Sequence, residues 1–315
     1  LWPAAEPLFD YWMNRGSWDD GRNLLLRAVQ AAPPDDTRGY AVALVALATL
    51  LARTGHAAEA QPYAEEGYRR ALQSGDPNTI ALAEMHGGLL SSDYAARERH
   101  FLAAIGAGRQ AQNRPLLART LMLYGDFLRD AGALAQARAY YDESLALARA
   151  LGDRALAIYP LGNLGRLALL DGALERAHAL FAESVALARA QHAPIALADW
   201  LLRLGVAQCY AQTPALAAAT LAECARLTDE LNHWRNLPNA QIWLAIAALQ
   251  NGDVAAADAI VPLALAEYDK RLRDSEAPPP PNELAEALLA LALHHAAGAR
   301  FAEAAGALGC AEALD

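Results

Sequence analysis

Between residues 118 and 211 the apolar positions follow a helical rhythm. Leu121, Tyr124, Gly125 and Leu128 stand at i, i+3, i+4 and i+7, one stripe of an α-helix. Asp130-Ala131-Gly132 breaks the stripe where a turn is needed. The run that follows, AQARAYYDESLALARAL, belongs to a second helix with Leu134, Ala137, Tyr141, Leu145 and Ala148 on one face. The pair then returns about forty residues later. Leu121, Gly125, Gly132, Ala137 and Tyr141 are followed by Leu161, Gly165, Gly172, Ala177 and Phe181, and then by Leu201, Gly205, Ala217 and Leu221, with Thr213-Pro214 at the turn. Matched residue types at one fixed period imply a single helix hairpin stacked many times. Gly125 and Ala137 are expected to let the two backbones of a hairpin approach closely. A mid-helix glycine costs about 1 kcal/mol against alanine, so close packing is the compensation its return at Gly165 and Gly205 suggests.

The same rhythm extends outward. Residues 2–31 form a first unit turning at Asn14-Arg15-Gly16, with Ser17 and Asp20 marking a helix start. Residues 37–74 form a second, turning at Thr54-Gly55-His56, in which Pro62 either delays the second helix or kinks it. Residues 78–112 form a third, whose Phe101 and Ala104 match Tyr141 and Ser144. Pro160 is placed near a helix start, where a missing N–H is tolerated. Residues 236–274 give a seventh unit, with Leu244-Ala245 in place of Leu-Gly, a turn at Asn251-Gly252, and a kink at Pro262. The predicted organisation is helical repeats over 1–274, a stiff Pro-rich spacer at 275–281 (SEAPPPP), and a last repeat over 282–315 on the same solenoid.

Composition narrows the function classes. At 315 residues a period of forty corresponds to about eight hairpins. A net charge of −10 argues against a nucleic-acid surface. Cys209, Cys224 and Cys310 form no disulfide or metal spacing, which fits a reducing cytoplasm. The longest apolar run, Tyr40 to Ala52, is shorter than a membrane span. Beginning with Leu1 inside a helix, the chain is expected to be a piece of a larger protein.

Leu164-Gly165, Leu204-Gly205, and Ala177 with Phe181 resemble the tetratricopeptide repeat (TPR), which places Leu-Gly in the first helix and Ala…Phe/Tyr in the second. The usual repeat is about 34 residues; this one is longer and lacks the closing proline. The resemblance implies an all-α, right-handed α-solenoid of about eight TPR-like hairpins. Gly298–Leu314 (GARFAEAAGALGCAEAL) and Leu8–Val29 (LFDYWMNRGSWDDGRNLLLRAV) are similar to the C-terminal TPR sensor region of LuxR-type and AfsR-like bacterial signalling NTPase regulators. In that family the tail is a sensor or interaction arm. No Walker A loop or DNA-binding helix pair is present in this sequence.

A TPR array presents the first helix of each unit on its concave side, so ligand contacts are expected from Arg119, Met122, Asp126, Arg129, Tyr159, Asn163, Arg166, Arg203, Tyr210 and Trp243. Asn163 and Arg203 share one register and match two positions of the carboxylate clamp of some TPR proteins, whereas Met122, Asp126 and Asp199 depart from it. His294-His295 point about 100° apart on a helix and make a poor metal pair; His86, His100, His178 and His233 have no partner at ligand spacing. Gly106-Ala107-Gly108 superficially matches a dinucleotide loop but follows a helix. Cys209 and Cys224 read as small core residues. Expected, then, is a non-catalytic sensor or protein-interaction domain without metal or cofactor, with a protein, peptide or small-effector partner. The rivals are a peptide receptor of quorum-sensing type and a self-associating adaptor using end faces near Trp2 and Trp12.

Overall fold

The computed structural model describes residues 5–15, 17–31, 37–231 and 237–274. Among them every element is a helix, and the helices follow one another as hairpins: α1 (Ala5–Arg15) with α2 (Trp18–Ala31), α3 (Thr37–Arg53) with α4 (Ala57–Ser74), and α5 (Pro77–Leu90) with α6 (Tyr94–Gln110). Then come α7 (Arg114–Asp130), α8 (Leu134–Leu151), α9 (Arg154–Leu170), α10 (Leu174–Ala190), α11 (Pro194–Tyr210), α12 (Pro214–Glu230), α13 (Leu237–Gln250) and α14 (Val254–Asp274). The fold is all-α, of the TPR-like helix-hairpin type. The proposed spacer at 275–281 and closing repeat at 282–315, with Trp2, His233, His294, His295 and Cys310, lie outside the described residues.

Packing divides the chain into two compact units, Leu1–Leu164 and Gly165–Asp315. In the first, Phe9, Trp12, Leu25, Leu47, Leu50, Leu82, Met85 and Leu116 form the main core. Alternate helices play different parts. Residues 41–51 of α3 are buried on every side, whereas α4 buries only Ala60, Gly67 and Ala71, one stripe. A first helix packs against its own hairpin partner and also its neighbours in the stack, while a second helix keeps one face in water. In the second unit α11 buries twelve residues in this way, and α12 buries Ala217, Thr220, Leu221, Cys224 and Thr228. Ala245, Ala248, Ala257 and Val261 close the α13–α14 hairpin.

Two expectations, for Pro160 and Trp12, are corrected, and others become specific. At Gly125, Gly165 and Gly205 the atoms nearest a would-be Cβ belong to a side chain of the second helix. A Cβ on Gly125 would lie 2.8 Å from Cδ1 of Tyr141, and one on Gly165 would lie 2.8 Å from Cε1 of Phe181. Gly88 meets Phe101, and Gly205 meets Leu221, in the same manner. Pro160 is not at a helix start but seven residues into α9, where it removes one helical hydrogen bond. Pro62 does not delay α4, which begins at Ala57. Trp12 is not an exposed end face: it is buried over Gly21, where α1 crosses α2. Gly106 and Gly108 lie inside α6, so no phosphate loop exists there.

Candidate functional site

The expected ligand residues fall in both compact units and are described unit by unit. In the first unit Arg119, Met122, Asp126 and Arg129 lie along α7, while Tyr159 and Asn163 lie on α9. Three of these six converge. Asn163, only 3% exposed, donates from Nδ2 to Oδ1 of Asp126 at 2.8 Å. Nη1 of Arg129 donates to the same oxygen at 2.8 Å and to Oδ1 of Asn163 at 3.1 Å. A residue outside the expected set completes the group: Tyr141 on α8 donates its hydroxyl to Asp126 Oδ1 at 2.8 Å. The second guanidinium nitrogen of Arg129 binds Asp130 at 2.8 Å. Burial disfavours the Arg129 charge, but Asp126, Tyr141 and Asp130 outweigh it and hold the group above its ordinary pKa.

In this cluster Asp126, Arg129, Asn163 and Tyr141 bond to one another across α7, α8 and α9. Sequence reading missed Tyr141 because its ring belongs to the core pattern; the available signal was a hydroxyl where the next repeats have Phe181 and Leu221. Arg119, Met122 and Tyr159 are half-buried along the same two helices.

In the second unit Arg166 and Arg203 are half-buried, on α9 and α11. Tyr210, 54% exposed, lies against Trp243 of α13 with ring centroids 5.6 Å apart; Trp243 is 6% exposed and is mainly a packing residue. Cys209 and Cys224 are buried thiols pushed up by desolvation to about 11 and about 12, which makes them poor nucleophiles. Cys224 donates weakly to the carbonyl of Ala198, as Ser144 does to that of Ala118 two repeats earlier in the other unit.

Two histidines have partners that linear spacing did not show. His100 Nδ1 lies 2.6 Å from Oε2 of Glu84, whose other oxygen accepts the Tyr68 hydroxyl at 2.8 Å. Burial, then the Glu84 contact, pushes Tyr68 up to about 12. His86 Nδ1 lies 2.7 Å from the hydroxyl of Thr49, which is also 3.0 Å from the carbonyl oxygen of Val45. Among the described residues no three His, Cys, Asp or Glu side chains converge on a metal-sized site, and no helix is long and apolar enough to cross a membrane.

Residues 116–190, the stretch that contains the Asp126 cluster, match the tetratricopeptide-repeat family. No curated protein matches the chain in sequence. Several solved structures share its fold. The apo form of the quorum sensor NprR from B. thuringiensis has a TM-score of 0.63 at 15% identity, covering 98% of this chain and 86% of that one. A Rap protein complexed with Competence and Sporulation Factor has a TM-score of 0.60 at 11% identity, covering 99% and 97%. A signal transduction ATPase with numerous domains from Pyrococcus horikoshii, described as having a tetratricopeptide repeat sensor, has a TM-score of 0.61 at 17% identity. That match covers 86% of this chain but 42% of the ATPase, so the chain spans less than half of it.

Proposed function

We propose that this TPR-bearing chain is a non-catalytic sensor or protein-interaction domain of a larger cytoplasmic bacterial regulator. It binds a protein, peptide or small effector along the first helices of its hairpins. The observation that carries this is the match of residues 116–190 to the tetratricopeptide repeat, on whose first helices Arg119, Tyr159 and Arg166 remain partly exposed. The likeness to the sensor-bearing ATPase supports the placement in a larger regulator. Arg166 and Arg203, half-buried cations on neighbouring first helices of the second unit, are the contacts assigned most weight. Within the second unit Tyr210 shares α11 with Arg203 and lies against Trp243; in the first unit Arg119, Met122, Asp126 and Arg129 on α7, with Tyr159 and Asn163 on α9, form a separate set.

A second function, as a free peptide receptor of quorum-sensing type, has its own support. NprR and the Rap complex are matched over 86% and 97% of their own lengths, so the likeness there is to whole chains. One experiment addresses both. Selection from a random peptide display library yields binders of the wild-type chain, and Arg166→Glu with Arg203→Glu abolishes their binding while far-ultraviolet circular dichroism stays unchanged. Binding that survives the double reversal sinks the assigned surface. An empty selection, with binders recovered only from a library of folded domains, removes the peptide-receptor function.

A further inference from the structure

We infer that α7, α8 and α9 build a carboxylate-binding seat that the chain fills with its own Asp126, an internal occupant that an acidic ligand must displace to use the site. Three donors from three helices converge on one oxygen: Arg129 Nη1, Asn163 Nδ2 and Tyr141 Oη, each 2.8 Å from Asp126 Oδ1. One of the three is charged, which strengthens its contact to a carboxylate. Asn163 is almost fully buried and the Arg129 side chain is 13% exposed, so these donors are desolvated and held in place. Asp126 is the more accessible member at 31% exposure, so the seat opens on the side from which a carboxylate would arrive.

The helix-hairpin scaffold does not need this group. Forty residues on, the four positions are Arg166, Leu169, Phe181 and Arg203, and forty further they begin with Val206, Cys209 and Leu221. Those repeats keep the glycine-to-side-chain packing of Gly165 with Phe181 and Gly205 with Leu221 without any hydroxyl at the ring position. A buried polar cluster is often no more stabilising than apolar packing of the same volume. Its presence at one of these three levels alone therefore points to recognition rather than to support. Because Asp126 is tethered beside its donors, it competes at a high effective concentration. A single free carboxylate does not dislodge it, and a ligand able to do so must add further contacts. An acidic peptide or small polycarboxylate fits that requirement, and the assignment of ligand class rests on the interaction function proposed above. The existence of the seat does not.

The test uses acetate alone as probe, with acetamide as its neutral counterpart. Asp126→Ala empties the seat, and Asp126→Ser does so with less loss of packing. Acetate is expected to raise the melting temperature of both variants and to perturb the Tyr141 and Asn163 side-chain resonances. Its affinity for them should exceed that for the wild type by about tenfold or more. Acetamide should have no such effect, and adding Asn163→Leu to Asp126→Ala should remove the response. A folded Asp126→Ala indifferent to acetate overturns the inference, as does a wild-type chain that responds equally. Failure of both variants to fold even in acetate assigns Asp126 a purely structural role and overturns it too. Because no peptide enters this assay, its failure is separable from a failure of the Arg166/Arg203 surface.

Discussion

At the level of single residues, the sign of a glycine substitution is set by what lies opposite. Replacing Gly165 with alanine improves helix propensity by about 1 kcal/mol, but its Cβ would lie 2.8 Å from the Phe181 ring, itself fully buried. Overpacking of this kind costs about 1–3 kcal/mol, so Gly165→Ala is expected to lower stability in urea unfolding. Gly106 lies in α6 with nothing within 4 Å of a would-be Cβ, and Gly106→Ala should raise stability by about 0.5–1 kcal/mol. Equal effects at the two sites would disprove the pairing of glycine with ring. Asp76 offers a test with pH. Its Oδ2 accepts from Thr79 Oγ1 at 2.7 Å and Thr79 N at 3.0 Å, capping α5, and those bonds hold its pKa below the ordinary 3.8. With the native value depressed, the cap contributes fully above pH 3.8 and is lost as pH falls through the lower native value. Asp76→Ala should cost about 1 kcal/mol at neutral pH, and the difference from wild type should vanish in strong acid.

At the level of elements, the long repeat is two helix-plus-turn segments of equal length. Positive φ occurs at Gly55 and Gly75, not in the α5–α6 turn, and then at Gln112, Gly132, Gly152, Gly172, His192 and Gln212, an even spacing of twenty from 112 to 212, and again at Gly252. Each from Gln112 onward ends its helix with a 6→1 hydrogen bond, as from Ala133 N to Leu128 O at 2.8 Å and from Thr213 N to Gln208 O at 3.0 Å. Gln112, His192 and Gln212 hold φ of 54°, 51° and 55°, a region that costs a side chain energy and glycine little. Glycine at each of the three should therefore raise stability by about 0.5–1 kcal/mol, additively, in thermal or urea unfolding; a loss at any one would mean its side chain holds the turn. This also marks what the sequence could show. Turns at Gly132, Gly172 and Asn251-Gly252 announce themselves by residue type, and the helices between them by periodicity. The turns at Gln112 and His192 carry no such sign, because tertiary packing imposes their backbone. The Asp126 group is half-visible: the repeat register places Asp126, Arg129 and Asn163 among expected ligand contacts, but spacing along the chain does not show that they bind one another across two hairpins. Pro160 is legible only as a helix-start residue, because a proline's tolerance there outweighs the apolar stripe that runs through it.

At the level of the whole molecule, stacked hairpins have no single centre. Each buries its apolar stripe against its neighbours, so damage should remain near its source. Gly205→Ala supplies such damage in the second compact unit, since its Cβ would collide with the fully buried side chain of Leu221. The core of α3 and α5, with Leu47, Leu50, Leu82 and Met85, belongs to the other unit and contains none of the affected contacts. Native-state hydrogen exchange should therefore show faster exchange of amides in α11 and α12, while those of α3 and α5 keep their protection. Uniform acceleration from α3 to α13 would mean that the chain opens as one cooperative body. In that case a ligand bound at any hairpin would stabilise all of them equally. Local opening instead lets a ligand on one stretch of first helices reorder that stretch and its immediate neighbours, and so limits how far a binding signal travels along the repeats to the elements next to the occupied hairpins.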